Sequence, residues 1–423
     1  MQLSTPDIQQ TINYLTSALE HYREARLEAL KPKKEPKKEM TPKEVEEAIA
    51  FLKEPKLLEK TSEMLCQSGL IGEKTNALIA YLTYTSRKRN QPLQLMYLGS
   101  SGSGKTYLQE KVSALIPEED KIEITTLSEN AFYYFGRKEL KNKLILIEDL
   151  DGAVSSLFAM REIQTKGFIS KRVALKDSKG VLRTIDLIVE GPVCISGATT
   201  WEKLYEDNAN RCLLLYIDTS PTQDTKIMVY QQQQSAGMID KEAEERAKTL
   251  VKNAQRLLKN REVRNPYAPY IELPKEVFKP RRTMNLFLSF IEIITFYHQY
   301  QQEGEVLETT IAHIETAFSL LKDTLFRKSD ELSGACRDFF EQIKEKVGKS
   351  SFQSKELRKA FRTNPNTLKH YLRELKTYGL ISIIGGNPYK GFEYQINQDG
   401  LGIDLKSQID KQIEEILSKI RNL

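Results

Sequence analysis

The stretch Gly99-Ser-Ser-Gly-Ser-Gly-Lys105-Thr106 matches the pattern G-x-x-x-x-G-K-[S/T] at every fixed position. Its glycines allow the backbone to curl so that successive N–H groups face a phosphate. We expect Lys105 to reach the β- and γ-phosphates of a bound nucleotide and the Thr106 hydroxyl to bind Mg²⁺. The pattern therefore predicts a phosphate-binding loop whose cofactor contacts come from Gly99, Ser100, Ser101, Gly102, Ser103, Gly104, Lys105, Thr106 and Tyr107.

The segments around this loop alternate between short apolar strands and helices from Pro92 to Ser220. Such alternation is typical of a parallel α/β sheet. One apolar strand leads into the loop, and a helical pattern from Tyr107 to Leu115 follows it. The strands read from the sequence are QLMYLG, KLILIEDLD, GPVCISGAT and RCLLLYID. The predicted fold is therefore an α/β P-loop domain, a parallel sheet with flanking helices.

A second group of candidate residues follows the apolar strand Leu144-Ile-Leu-Ile147, where Glu148, Asp149 and Asp151 stand at the carboxyl end. One carboxylate at this place can hold Mg²⁺, and another can polarise the attacking water. Position assigns the metal to Glu148 and the water to Asp149, although the usual order is Asp and then Glu. Thr106, Glu148 and Asp149 are predicted to surround the metal. The alternative for the acidic pair is a helix N-terminus rich in carboxylates.

Changes in composition along the chain predict its division into segments and domains. Residues 1–30 have a helical pattern with Ile8, Ile12, Leu15 and Leu19 on one face. Residues 31–44, KPKKEPKKEMTPKE, cannot bury a core and are predicted to form a charged linker. The linker lysines serve solubility or contact nucleic acid. We expect the α/β domain with its helical flanks to span 45–330, a second domain 331–400, and a last helix 401–423.

The overall composition favours a soluble protein of two or three domains. The chain has 423 residues, of which 40% are hydrophobic, and 63 basic residues face 58 acidic ones for a net charge of +5. This mild excess permits nucleic acid as a partner but does not demonstrate it. The four cysteines lie far apart and have no histidine at metal-ligand spacing. No apolar run is long enough for a membrane span, so we expect a cytoplasmic protein without a membrane partner.

From the phosphate loop to Asp218 the order of features resembles the AAA+ ATPases. Among them it resembles the minichromosome-maintenance-like replicative helicases, of a mobile-element type. In that group the Walker B strand is followed by a helix, a β-hairpin and the strand that carries the first sensor. Here IEDLDGA is followed by SLFAMREIQTKG, which looks like the helix. Two β-rich arms around the turn Asp177-Ser-Lys-Gly180 and then GPVCISGAT, which looks like the sensor strand, come next.

The resemblance assigns further residues to the nucleotide site. Thr199, or its neighbour Thr200, would be the first sensor where the family often has Asn. Arg211 in NANRCLLLYID would be an arginine finger, and Arg282, with Arg281 as a rival, would be a second sensor. Each has a plainer alternative: a Thr pair at a strand end, a surface arginine, or a solvated helix start. The resemblance implies ATP and Mg²⁺ as cofactors and a ring, taken as a hexamer, that is closed through the arginine finger.

Two regions are candidate DNA contacts. The hairpin between Phe168 and Ile188 is rich in basic residues, which suit sequence-independent backbone contact in a ring channel. Those assigned are Lys171, Arg172, Lys176 and Lys179, with Arg183 on the second arm. The alternative is a solvated basic loop.

The second candidate is a winged helix in the C-terminal part, with a helix that begins at a capping Asn in NPNTLKHYLRELKTYGLI and a strand pair as the wing. Lys369 and Arg373 are assigned to DNA and lie with His370 and Lys376 on its predicted exposed face. Such domains also dock proteins, which remains the alternative.

These observations favour an ATP-dependent DNA helicase or translocase that acts in replication of a mobile element. Single-stranded DNA would lie in the channel and duplex DNA at the winged helix, and a primase or another replication protein would be a partner. The alternative is a regulatory AAA+ ATPase, such as a helicase loader or transposition switch, that assembles on DNA without unwinding it. A third interpretation makes the chain part of a larger replication protein.

Overall fold

The computed structural model describes residues 11, 14, 15, 18, 19, 22, 38–176, 182–200, 211–274, 280–329, 334–347, 350–361, 363–377, 380–387, 391–397 and 401–422. The turn predicted at 177–180 lies outside the described residues. Of the described helices, none is both long enough and apolar enough to cross a membrane.

A five-stranded parallel sheet forms the centre of the molecule. The strands before the C-terminal region are β1 (Leu95–Leu98), β2 (Lys121–Ile124), β3 (Lys143–Ile147), β4 (Phe168–Lys176), β5 (Leu182–Glu190), β6 (Val193–Thr199), β7 (Leu213–Tyr216), β8 (Glu262–Arg264) and β9 (Val306–Glu308). The sheet order is β2-β3-β6-β1-β7, and every neighbouring pair in it is parallel. The four strands predicted from the sequence are β1, β3, β6 and β7, whereas β2 was not predicted. The α/β sheet predicted from the sequence is confirmed.

Helices cover both faces of this sheet. They are α1 (Pro42–Leu52), α2 (Leu57–Gln67), α3 (Lys74–Thr85), α4 (Lys105–Ser113), α5 (Leu157–Lys166), α6 (Pro221–Ser235), α7 (Lys241–Leu257), α8 (Pro280–Tyr297) and α9 (Ile311–Ser329). Strand residues alternate between two apolar clusters because successive side chains point to opposite faces. Leu95 and Tyr97 join the cluster that contains α1–α3 and α7–α9, while Met96 and Leu98 join the cluster that contains α5.

The hairpin β4–β5 projects from the second face of the sheet. Its two arms are antiparallel, with partners from Phe168 and Glu190 at the base to Lys176 and Leu182. Ile169 and Val189 at the base are buried in the cluster that contains α5. The hairpin lies in the chain directly between α5 and β6, so its base is anchored to the central sheet.

A separate unit follows, with its own apolar core. It consists of α10 (Gly334–Val347), β10 (Phe352–Gln353), α11 (Ser354–Phe361), α12 (Pro365–Thr377), β11 (Ile381–Asn387) and β12 (Gly391–Ile396). The strands form an antiparallel sheet in the order β10-β12-β11. The core is built from residues of every helix, including Phe339, Leu357 and Leu372.

The last helix, α13 (Leu401–Arg421), packs away from that unit and against the first apolar cluster. Ile409, Ile416 and Ile420 are buried there. Two ion pairs join it to α9: Lys322 with Asp410 at 2.8 Å and Arg421 with Glu315 at 2.7 Å.

Candidate nucleotide-binding site

The loop between β1 and α4 has the backbone that a phosphate-binding loop requires. Gly102 and Gly104 adopt φ angles of 77° and 93°, a left-handed region in which a side chain is strained. A Cβ atom added at Gly99 would lie 2.7 Å from Ser103 Oγ, so this close approach also needs glycine. Ser103 Oγ is buried and has no hydrogen-bond partner among the described residues. A buried hydroxyl without a partner is an open position for a ligand oxygen.

Lys105 lies buried across this loop. Its Nζ donates to the carbonyl oxygens of Gly99 at 2.8 Å and Ser100 at 2.6 Å. Burial lowers the pKa of Lys105, while the negative charges of Asp151 and Asp149 oppose that shift. The ammonium group is therefore held at the mouth of the loop and lies within electrostatic range of the acidic residues that follow β3.

Thr106 and Glu148, two residues predicted to hold the metal, line one cavity of about 150 Å³. Glu148 follows the last residue of β3, and its backbone N–H donates to the Ile124 carbonyl of β2 at 3.1 Å. Mg²⁺ prefers oxygen ligands such as carboxylates. The cavity is lined by three carboxylates, Glu110, Glu123 and Glu148, and by the hydroxyls of Thr106, Ser113 and Thr125. The residues at this place therefore fit Mg²⁺, and Glu148 lines the same cavity as Thr106.

Asp149 and Asp151 lie in the loop beyond Glu148. Asp149 Oδ1 accepts the Asp151 backbone N–H at 2.9 Å. The Asp151 carboxylate accepts the hydroxyl of Thr199 at 2.6 Å and that of Thr200 at 2.8 Å. The Thr pair at the end of β6 thus contacts the acidic loop. Sequence position alone assigns no role to Asp151, although it is a third carboxylate two residues after Asp149.

A buried polar network below the loop fixes α4 against the sheet. Gln109 Nε2 donates to the carbonyl of Ser196 at 3.1 Å and to its hydroxyl at 3.2 Å. Tyr84 connects the hydroxyls of Tyr97, at 2.8 Å, and Ser196, at 2.9 Å. The network joins β1, β6, α3 and α4 directly behind the phosphate loop. Sequence reasoning missed it because a single Gln in a helix carries no motif.

Tyr107, predicted as a cofactor contact, points along α4 away from the loop. Its hydroxyl donates to the Gly69 carbonyl at 3.0 Å, and Lys111 lies 5.4 Å from the centre of its ring. Burial raises the pKa of Tyr107. The structure thus uses Tyr107 to join the phosphate-loop helix to the segment that follows α2.

Arg211 lies just before β7, near the amino ends of the parallel strands, whereas the phosphate loop follows the carboxyl end of β1. Leu213 is aligned with Leu95 at the start of β1, whereas the loop begins after Leu98. At about 3.3 Å per strand residue, roughly 13 Å along the strand direction separates the level of Leu213 from the start of the loop, and Arg211 precedes Leu213. Its Nη1 donates to Thr165 Oγ1 at 2.9 Å, and its buried Nε has no partner among the described residues. The structure therefore does not bring Arg211 together with the residues of this site.

The two candidates for a second sensor occupy the first turn of α8. Arg281 and Arg282 are exposed there, and Thr283 next to them is buried.

The basic residues predicted to contact DNA fall into two groups on the hairpin. Near its base, Lys171 Nζ donates to Asn130 Oδ1 at 2.6 Å and lies 5.5 Å from the centre of the Tyr133 ring. Arg172 forms an ion pair with Asp186 across the hairpin at 2.8 Å. Lys179 and the side chains of Lys176 and Arg183 lie outside the described residues. The two described side chains are thus engaged with neighbouring residues of the protein.

On α12 the described side chains separate into an apolar and a polar face. Leu368, Leu372 and Leu375 are buried in the core of the C-terminal unit. The exposed basic residues are Lys369, His370, Arg373 and Lys376, and His370 Nδ1 lies 3.4 Å from Glu374. The Asn364 side chain accepts the Asn366 backbone N–H at 2.9 Å at the start of the helix, as the sequence predicts for a cap.

The glycine geometry, the position of Lys105 and the cavity between Thr106 and Glu148 define a nucleotide-binding P-loop domain. The comparison with protein families agrees: the chain belongs to the family described as the MTBMA_p00010 P-loop domain, whose model matches residues 40–261. The parallel sheet with helices on both faces fits the AAA+ class of that fold.

The chain is similar to a full-length MCM homolog from Methanopyrus kandleri, with 12% sequence identity and a TM-score of 0.46. The similarity covers 70% of this chain and 64% of that one. No curated protein matches the sequence.

Proposed function

We propose that this protein is an AAA+ ATPase that moves along DNA and separates its strands, as a minichromosome-maintenance-like helicase does. In this proposal a ring of subunits, taken as six, acts in replication of a mobile element, and a primase or another replication protein is a partner. The domain limits in the proposal are 45–330 for the ATPase and 331–400 for a winged helix. One observation supports the motor most: the hairpin β4–β5 runs directly into β6, whose terminal Thr199 holds Asp151 beside the phosphate loop.

The residues at the loop divide the chemistry of hydrolysis. Thr106 and Glu148 would hold Mg²⁺, which neutralises charge on the phosphates of a bound ATP when present. The Lys105 ammonium breaks its hydrogen bonds to the Gly99 and Ser100 carbonyl oxygens and binds phosphate oxygens in their place. Asp149 lies one residue beyond the metal position and orients the attacking water as its proton acceptor. Thr199 and Thr200 fix Asp151, and through the Asp151 backbone N–H they also fix the Asp149 carboxylate.

Arg211 acts on the neighbouring subunit in this proposal. It lies near the amino ends of the strands, and the phosphate loop of the same chain lies at their carboxyl ends. Arg211 can therefore reach a bound phosphate only in another copy of the chain. A guanidinium at that position stabilises the charge that develops on the transferred phosphoryl group. Hydrolysis then depends on assembly, with Arg281 or Arg282 as the second sensor.

Two surfaces contact DNA in this proposal. The hairpin tip with Lys176 and Lys179 meets single-stranded DNA in the channel, while Lys171 and Arg172 stabilise the base. The order of helices and strands in 334–396 supports a winged helix, with Lys369 and Arg373 on the face that meets duplex DNA.

The decisive experiment measures the coupling between ATP hydrolysis and DNA. Lys176→Ala with Lys179→Ala should leave basal hydrolysis intact, while stimulation by single-stranded DNA and strand separation should fall at least tenfold. The salt dependence of DNA binding should flatten by about 0.7 in log–log slope for each lost phosphate contact. Lys226→Ala with Lys241→Ala, which removes two exposed lysines from α6 and α7, is the matched control. The Lys105→Ala protein should show no hydrolysis and no unwinding.

Each outcome of that experiment decides between motor and switch. If the hairpin variant keeps the wild-type ratio of hydrolysis with and without DNA, the hairpin is a solvated loop and the motor proposal fails. If the wild-type protein binds DNA and hydrolyses ATP but separates no strands on any substrate, the helicase loader or transposition switch is the correct function.

A further inference from the structure

A long groove lies between α1, α2 and α7, on the side of the ATPase domain where the described chain begins. It encloses about 910 Å³. Its apolar surface comes from Ala50, Phe51, Met64, Ala243, Ala247 and Leu250. Acidic side chains dominate its rim: Glu44, Glu47, Glu54, Glu242 and Glu245, against Lys60 and Arg246. An apolar floor with an acidic rim fits an amphipathic helix next to a basic segment.

The described residues near the N-terminus carry an apolar face of that kind. Residues 11, 14, 15, 18, 19 and 22 are helical, and their spacing places them on one side of a helix. Tyr14, Leu15, Leu19 and Tyr22 are 73%, 54%, 66% and 65% exposed. Large apolar side chains that are exposed together mark an interaction surface, because their burial against a partner removes apolar area from water.

The segment between this face and the groove is basic. Residues 23–38 contain seven Lys or Arg and three Glu. The last of these basic residues already contacts the rim, because Lys38 Nζ forms an ion pair with Glu44 Oε1 at 2.7 Å. This ion pair and the Thr41 cap hold the pKa of Glu44 at about 2, so its charge persists at any ordinary pH. Lys38 therefore lies at the acidic edge of the groove.

Residues 23–38, which connect the helical residues 11–22 to α1, are long enough to let those residues reach the groove. Sixteen residues span up to about 50 Å when extended, whereas the eleven residues of α1 that border the groove extend only about 16 Å. A segment tethered this closely meets its own groove at an effective concentration in the millimolar range. The tether therefore favours the groove of the same chain over that of a second copy.

We propose that the apolar face of residues 11–22 docks into the α1–α2–α7 groove of its own chain, with the basic segment 23–38 along the acidic rim. The groove ends at Gln67, two residues before Gly69, whose carbonyl accepts the Tyr107 hydroxyl. A helix in the groove clamps α2 to α7 next to the helix that follows the phosphate loop.

Hydrogen exchange of the full chain, read by mass spectrometry for peptides covering 11–22, tests the proposal. The wild-type peptides should exchange at least tenfold more slowly than the same segment in a Leu15→Asp, Leu19→Asp protein. Both leucines are exposed, so that variant does not threaten the fold. Glu47→Lys with Glu242→Lys reverses two exposed charges on the rim and should also abolish the protection. Glu262→Lys reverses an exposed charge on β8 and should leave it unchanged.

The same measurement can overturn the proposal in two ways. Wild-type peptides that exchange as fast as those of the Leu15→Asp, Leu19→Asp protein would show that the groove does not hold the segment. Protection that appears only as protein concentration rises, and disappears on dilution, would assign the groove to the helix of a second copy.

Discussion

His313 gives the ATPase domain a measurable sensitivity to acid. Its ring and that of His298 lie 4.8 Å apart, centre to centre, and both are buried where α8 meets α9. His298 Nδ1 donates to the Ile294 carbonyl at 2.8 Å, whereas His313 Nδ1 accepts the Thr310 backbone N–H at 3.2 Å. Burial, followed by the neighbouring His298, lowers the pKa of His313 from 6.5 to about 4. Burial also lowers the pKa of His298.

The direction of the effect follows from these shifts. Both imidazoles are neutral in the folded protein near pH 7, and the unfolded chain takes up protons first as pH falls below about 6.5. The free energy of unfolding therefore decreases as pH falls below about 6.5. The contribution of His313 to this decrease ends below about pH 4, where the ring is protonated in the folded state as well. For His313 alone, proton linkage gives a loss of about 2 kcal/mol between pH 8 and pH 5, and about 3 kcal/mol at pH 4. His298 adds to the loss in the same direction.

Urea unfolding followed by circular dichroism at half-unit steps from pH 8 to pH 5 measures this loss. His313→Asn is the informative variant, because its side-chain oxygen can still accept the Thr310 N–H. It removes the titrating ring of His313 and keeps that of His298. It should be less stable than wild type at pH 8 because the smaller side chain leaves a cavity. Over the same pH range its stability should fall by about 2 kcal/mol less than that of the wild type, and the remaining loss should come from His298.

His370→Asn is the control, because it removes an exposed imidazole on α12 and leaves the buried pair intact. The control should retain the full acid loss of the wild-type ATPase domain. A wild-type protein with flat stability between pH 7 and pH 5 would refute the reasoning. An unchanged pH slope in His313→Asn would refute it as well, because the loss would then come from other groups.

The remaining predictions concern the nucleotide site. Thr199→Val removes a hydrogen bond to the charged Asp151, and such a bond is worth about 1.5–3 kcal/mol. The rate of ATP hydrolysis should therefore fall roughly 10- to 150-fold. Nucleotide affinity should stay within twofold of the wild-type value. Thr316→Val, on α9, is its control, and equal loss in both would remove Thr199 from the site. Arg211→Ala subunits should bind ATP but hydrolyse little, and mixing them with Lys105→Ala subunits should restore part of the activity. No recovery at any ratio, with mixing verified, would exclude Arg211 as a residue that acts in trans.

The sequence predicts the sheet where strands are buried on both faces and misses it where they are not. The strands β1, β3 and β7 are predominantly apolar, and β6 is buried along its whole length although it contains Ser196 and Thr199, because other elements cover both sides of these strands. The missed strand, β2, reads Lys-Ile-Glu-Ile and lies at the edge of the sheet, with its side chains half-buried or exposed. A four-residue segment with two charges has no signal that separates it from a loop.

The phosphate loop can be predicted from the sequence because all its functional groups lie within eight consecutive residues. The contact between Asp151 and Thr199 is not, because it joins residues 48 positions apart. It exists because β6 lies between β1 and β3, and strand order is a tertiary property that no local pattern encodes. The same holds for Lys171: its position in a basic run suggests DNA, and only the folded chain shows that Asn130 and Tyr133 engage it.

The hairpin base is joined to the acidic loop by two routes, and we propose that this double connection suits a motor better than a switch. The first route is β6, which follows the hairpin and ends at Thr199 on Asp151. The second is the segment after β2: Thr126 donates to the Gly152 carbonyl at 3.0 Å, and Asn130 accepts the ammonium of Lys171 on β4. A hairpin joined at one point could swing freely when the acidic loop shifts. In the proposed function, these two connections would transmit to the hairpin a shift of the acidic loop that follows the loss of the γ-phosphate, and the displaced hairpin would push on DNA.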